Sequence, residues 1–199
     1  MKIGIMGGTF DPIHWGHLRL GQEALEKLQL DSVLFIPAGQ PWMKASQKVS
    51  EKNHRLNMVR QATKDNPKFQ TSDIEIKRDG NSYSSETVEQ LSIEYGNTVK
   101  LFFILGSEVL EKFHQWINPA VILRKCKLAI VIRPGQPKPN LAAIKKVFPD
   151  EPLETELLPA SQIGISSSEL RSRVRKGLPI TDWVPPDVEQ YILSNGLYA

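Results

Sequence analysis

A chain of 199 residues, 40 % hydrophobic and 24 % charged, has the balance of an ordinary globular protein with one core, and its net charge of +3 is too weak to point to nucleic acid. The single cysteine, Cys126, excludes an intramolecular disulfide and a cysteine-based zinc site and fits a reducing cytoplasm. No apolar run is long enough to span a bilayer, and Gly7 and Gly8 interrupt the only apolar stretch near the N-terminus, so neither a membrane nor a secretory address is expected.

In chain order, residues 3–6 are apolar apart from Gly4 and predict a first buried strand. Residues 18–30 predict a helix with Leu18, Gly21, Leu25 and Leu28 on one face. Residues 33–36 predict a second strand stopped by Pro37, followed over 37–50 by a Pro-, Gly-, Gln-, Ser- and Lys-rich loop expected to be mobile. A helix is expected over 54–63. A strand is expected over 69–77, where Ile74 and Ile76 alternate with Glu75 and Lys77. The next helix runs over 84–94 with Ser84 or Ser85 as its N-cap.

Strands over 101–105, 128–132 and 153–158 come next, the first ending at Gly106-Ser107-Glu108, where a helix begins. Ser166 followed three residues later by Glu169 has the capping-box spacing and opens a helix to Lys176, ended by Gly177. Residues 188–194 form a last helix between Pro185-Pro186 and Gly196. Apolar strands alternating with helices predict an α/β fold, a doubly wound parallel sheet with helices on both faces. The whole chain, 1–199, is expected to be one domain, with residues 160–199 contributing the serine-rich helix start and the closing helices.

Two segments carry chemistry. The first, GGTFDPIHWGH over residues 7–17, joins a strand to a helix through glycines. A helix start offers unpaired N–H groups and the positive end of its dipole, and glycine lets a phosphate come close to them. His14 and His17 stand where imidazoles can donate to phosphate oxygens. The second, ISSSELR over residues 165–171, is another helix start, with Ser166, Ser167 and Ser168 and an arginine, Arg171, one turn in. Taken alone, it also reads as a well-capped surface helix. Arginine suits phosphate because its donors form a planar fork.

The H-x-G-H spacing of His14 and His17, preceded by Gly8-Thr9-Phe10-Asp11-Pro12, resembles the nucleotidylyltransferase superfamily, whose Rossmann-like core is shared with class I aminoacyl-tRNA synthetases. ISSSELR is similar to that superfamily's I-S-S-T-x-x-R element, with Ser168 in place of Thr. The resemblance implies adenylyl transfer: an acceptor phosphate attacks the α-phosphorus of ATP and pyrophosphate leaves. It implies an ATP site of Gly7, Gly8, Thr9, Phe10, His14, Gly16, His17, Gly106, Glu108, Ser166, Ser167, Ser168 and Arg171. His14, His17 and Arg171 are the implied catalytic groups. Adjacent phosphates are expected to favour protonated imidazoles, and Mg²⁺ is expected to bridge phosphate oxygens. Asp11, which precedes Pro12, is read as shaping the turn.

Within that superfamily, Ser82-Tyr83-Ser84-Ser85-Glu86-Thr87 resembles the S-Y-T-x-x-T element of nicotinate mononucleotide adenylyltransferases. Lys44, Trp116 and Arg133 in Arg133-Pro134-Gly135 also match positions of that family, as does Gly106-Ser107-Glu108, where Glu108 replaces the usual Asp. The implied acceptor is nicotinate mononucleotide, held by Lys44, Tyr83, Ser84, Trp116 and Arg133. Trp116 would stack on the pyridine ring, Lys44 would meet the 5′-phosphate, and N–H groups near Tyr83 and Ser84 would receive the carboxylate. Each has a plainer role as well: Trp116 as a core anchor, Lys44 as a solvated lysine, Tyr83 and Ser84 as a helix cap. Alternatives are nicotinamide mononucleotide, another phosphorylated acceptor, and a non-catalytic nucleotide sensor. No nucleic-acid or membrane partner is expected. His54, His114 and Cys126 are read as structural or surface residues.

Overall fold

The structure, a computed structural model, describes residues 1–44, 48–132, 134–159 and 164–199. Its elements are β1 (Lys2–Gly8), α1 (Trp15–Lys27), β2 (Ser32–Pro37), a 3-10 turn (Trp42–Lys44), α2 (Lys52–Thr63), β3 (Phe69–Thr71), α3 (Ile74–Lys77) and α4 (Ser84–Tyr95). There follow β4 (Lys100–Gly106), α5 (Ser107–Leu110), a 3-10 turn (Phe113–Gln115), α6 (Pro119–Lys125), β5 (Cys126–Ile132), α7 (Leu141–Val147), β6 (Thr155–Pro159), α8 (Ser167–Arg175) and α9 (Pro186–Ser194).

The six strands pair in the order β3-β2-β1-β4-β5-β6, every pair parallel. That order, with the chain reversing direction at β1 and β4, is the doubly wound Rossmann arrangement and leaves a crevice at the carboxyl ends of the two strands. Because side chains alternate along a strand, β4 sends Leu101, Phe103 and Leu105 to one face and Phe102 and Ile104 to the other. The first set packs with α4, α5 and α6; the second packs with α1, α2, α8 and α9. Fully burying each such side chain is worth roughly 1.5–3 kcal/mol, which makes the two-faced sheet the dominant stabilising feature.

Local chemistry shifts several boundaries. Helix α1 begins three residues before the expected Leu18, because His14 caps it. The strand expected over 69–77 stops at Thr71. The Ser72 hydroxyl accepts the Ile74 N–H at 3.3 Å, Lys77 N–H donates to the Asp73 carbonyl at 2.9 Å, and Lys77 pairs with Asp73, so residues 74–77 close one helical turn. That turn buries Glu75 together with Ile76, whereas alternation would have sent it to solvent. In α4 the cap is Tyr83, without a side-chain bond, and Ser84 and Ser85 are the first helical residues rather than the cap. β6 lies one to two residues later than expected, and α9 starts at Pro186. Helices α6 and α7 were not anticipated. Their signals were Pro119 at the first turn and the Asn140 side chain, which accepts the Ala143 N–H at 3.0 Å.

Candidate active site

The two segments expected to bind phosphate meet at the carboxyl ends of β1 and β5. Gly7 and Gly8 close β1, and the turn 9–14 leads into α1 through a cis Asp11–Pro12 bond. Phe10 adopts φ 49° and is buried, its ring edge-on to His17 with centroids 5.0 Å apart, so only its backbone is offered to a ligand. His14 is the N-cap: its Nδ1 accepts the Gly16 N–H at 3.1 Å, and the His14 N–H donates to His17 Nδ1 at 3.3 Å. Each ring spends Nδ1 as an acceptor, so the neutral tautomer carries its proton on Nε2. The rings lie 3.8 Å apart, where two positive charges repel, and full protonation would also take the acceptor from each half of the cap.

Helix α8 docks on that turn. Ser166 caps it by accepting the Glu169 N–H at 3.2 Å, as its spacing predicted. Ser167 Oγ donates to the Pro12 carbonyl at 3.0 Å. Arg171 donates from Nη1 to the Asp11 carbonyl at 2.7 Å and from Nη2 to Ser168 Oγ at 3.3 Å. The guanidinium therefore joins the histidine turn to the serine helix across 160 residues of sequence. Between them opens a cleft of about 580 Å³, lined by His14, Gly16, His17, Lys44, Ser166, Ser167 and Ser168 among others, within the size range of small-ligand sites.

Asp11 does more than shape the turn. It is 3 % exposed, and its carboxylate accepts the Tyr198 hydroxyl at 2.7 Å and the Ser50 N–H at 3.2 Å. Arg55, 1 % exposed, donates to the carbonyls of Ser50, Thr9 and Gly39, each at 2.9 Å. Burial lowers the pKa of Arg55 despite the neighbouring Asp11 charge, and burial followed by the Asp11 charge raises that of Tyr198. Burial also lowers that of Lys44, helped by the positive Arg171. None of Arg55, Glu75 and Tyr198 was singled out from sequence. Arg55 left one legible sign, a charge on the same helical stripe as Met58, Val59 and Ala62.

Of the residues expected at the acceptor, Lys44 lines that cleft, whereas Tyr83, Ser84 and Trp116 do not. Tyr83 and Ser84 lie at the start of α4, linked to it through residues 39–44: Ser82 N–H donates to the Gln40 carbonyl at 2.9 Å, and the Tyr83 ring is 6.2 Å from Trp42. Trp116 is half-buried against Phe103 and Phe113, and its indole N–H is buried with no hydrogen-bond partner among the described residues. Gly106 ends β4 beside Val131 of the cleft wall. Glu108 curls back so that its carboxylate occupies the place a Cβ on Gly106 would take. Arg133 and residues 45–47 of the loop expected to be mobile lie outside the described residues. His54 bonds Tyr191 at 3.0 Å, and Cys126 is buried. Among the described residues no group of three or more His, Cys, Asp or Glu side chains is arranged to hold a metal, and no helix is long and apolar enough to cross a membrane.

Residues 5–173 match the family model described as cytidylyltransferase-like. A probable nicotinate-nucleotide adenylyltransferase of Dehalococcoides mccartyi is 40% identical over 198 residues, covering 100% of this chain and 97% of that protein. One from Clostridium tetani is 38% identical, covering 99% and 98%. The solved structure of the Plasmodium falciparum nicotinic acid mononucleotide adenylyltransferase complexed with NaAD superposes with a TM-score of 0.79 at 21% identity, over 99% of this chain and 97% of that one, and shares the fold. With the histidine turn and the serine helix closed on one cleft, and full-length likeness to these proteins, the chain belongs to the cytidylyltransferase-like family, in its nicotinate-nucleotide adenylyltransferase branch.

Proposed function

We propose that this protein transfers AMP from ATP to nicotinate mononucleotide, giving nicotinate adenine dinucleotide and pyrophosphate in NAD biosynthesis. The observation that carries the reading is Arg171, which holds the starts of α1 and α8 against one another through the Asp11 carbonyl and Ser168 Oγ. Two helix N-termini directed at one cleft suit a triphosphate. The full-length relatives named nicotinate-nucleotide adenylyltransferase support the choice of acceptor.

In the reaction an oxygen of the acceptor's 5′-phosphate attacks the α-phosphorus of ATP. The bond from that phosphorus to the bridging β-oxygen breaks, and its electrons leave with pyrophosphate. The protein's task is in-line placement and charge neutralisation. Gly7, Gly8, Thr9, Phe10 and Gly16 supply backbone that lets the triphosphate approach closely. His14 and His17 donate from Nε2 to the α-phosphate oxygens. Ser166, Ser167, Ser168 and Arg171 receive the β- and γ-phosphates, and Gly106 and Glu108 border the nucleoside. Lys44, which faces the same cleft, meets the acceptor phosphate as it reaches the α-phosphorus. Tyr83 and Ser84 take the nicotinate carboxylate on backbone N–H groups, and Trp116 and Arg133 complete the acceptor side. Mg²⁺ accompanying the nucleotide would supply further neutralisation of the triphosphate charge, since the described residues form no His, Cys, Asp and Glu cluster that would hold it. The whole chain works as one domain in the cytoplasm.

The test is pyrophosphate release from ATP and Mg²⁺ with a panel of acceptors: nicotinate mononucleotide, nicotinamide mononucleotide, phosphopantetheine and a phosphorylated alcohol. Release above a blank is expected with the first and least with the last two. A strong preference for the amide would overturn the acceptor, and no release with any of them would overturn the enzyme.

A further inference from the structure

Glu75 is 6 % exposed, and the reaction as described makes no use of it. Its carboxyl accepts the Thr87 hydroxyl at 2.7 Å, and the nearby Ser82 hydroxyl helps to stabilise its charged form. The Ser82 oxygen already accepts the N–H groups of Gly39 at 2.8 Å and Gln40 at 3.1 Å, which leaves its own proton to turn toward Glu75. Thr87 Oγ1 is farther from the Tyr83 carbonyl, at 3.3 Å, so its proton goes to Glu75 too. The backbone of Glu75 is equally engaged: a Cβ on Gly39 would run into its carbonyl oxygen, which brings the segment leading to Lys44 flush against α3. One carboxyl thus holds the residues on either side of the Tyr83–Ser84 pair and, through Ser82, the segment that carries Trp42 and Lys44.

We propose that Glu75 is a positioning residue for the acceptor, clamping Ser82 and Thr87 so that the Tyr83 and Ser84 backbone between them is fixed for a flat ring bearing a carboxylate. This rests on the reading that Tyr83 and Ser84 receive that carboxylate. Tyr83 caps α4 without a side-chain bond of its own. The network is costly to maintain. Burial raises the pKa of Glu75, against the lowering effects of the Thr87 and Ser82 hydrogen bonds and of the Arg78 and Arg55 charges. A side chain kept for packing alone would not need to be a carboxyl in that place.

The experiment compares steady-state kinetics for both substrates in Glu75→Gln, Thr87→Val and Ser84→Pro. Glu75→Gln keeps the shape and turns one acceptor into a donor facing Ser82. It is expected to raise KM for nicotinate mononucleotide about tenfold, the effect of one disturbed buried hydrogen bond, with KM for ATP within about twofold of wild type. Thr87→Val removes one arm of the clamp and is expected to act the same way. It carries the test alone should Glu75→Gln fail to fold. The double variant is expected to cost less than the product of the singles, because both break one unit. Equal rises in both KM values would mean a structural role only and would overturn the proposal, as would an unchanged KM for the mononucleotide. Ser84→Pro deletes one N–H at a first-turn position that tolerates proline, after a Tyr83 already extended at φ −106° and ψ 124°. If it leaves the mononucleotide KM unchanged, the acceptor reading fails and the clamp with it. If it raises that KM while Glu75→Gln does not, the clamp alone fails.

Discussion

His14 and His17 have separable duties. In the proposed reaction His17 contributes an Nε2 donor from inside the first turn, so His17→Ala is expected to lower turnover by about 10²–10³, the usual loss for one preorganised transition-state donor. Near-normal turnover in a pyrophosphate-release assay would remove it from the mechanism. His14 is also the N-cap of α1. Asparagine is among the best capping side chains, whereas alanine at a cap costs about 1 kcal/mol. His14→Asn is therefore expected to melt close to wild type while losing turnover, and His14→Ala to lose both. A His14→Asn protein that keeps full activity would show that position 14 serves the helix and not the phosphate.

Between elements, the tightest fit lies where residues 38–44 cross α3. Gly39 has no room for a methyl, because the obstacle is the Glu75 backbone and not a flexible side-chain tip. Gly39→Ala is expected to destabilise the fold by about 1–3 kcal/mol, read from thermal or denaturant melting, and to weaken acceptor binding as α3 shifts. A melt identical to wild type would mean that the segment slides freely. Such contacts were beyond the sequence. The histidine turn and the serine helix were legible because each is contiguous and its chemistry is local. The sheet was legible because its strands are apolar on both faces. Glu75 was not, because Ile74 and Ile76 alternate with it as in a strand, and only the Ser72 and Asp73 side chains reveal the turn. Asp11 was noticed for its proline and missed for its partners, which come from Ser50 and Tyr198. Residues joined across long separations leave no pattern in a single chain.

The whole molecule offers its own reporter. Cys126 begins β5, paired with Leu101 of β4, and burial pushes its thiol up to about 12. The folded protein at pH 8 is expected to be inert to an aromatic disulfide reagent and to react once denaturant opens the sheet, so thiol release should follow global unfolding. Fast reaction in native buffer would reveal an opening of the β4–β5 pair that the packing does not suggest.

The bond from Tyr198 to Asp11 spans 187 residues and ties the C-terminal segment to the first loop of the chain. A ribosome delivers these partners at opposite ends of the translation of this sequence. The glycine-histidine motif emerges well ahead of Tyr198, yet the carboxylate beneath it has only the Ser50 N–H to hold it until Tyr198 has cleared the exit tunnel and folded back. Nascent chains lacking that residue should hold the β1–α1 unit without its working shape, so a part made early is among the last to mature.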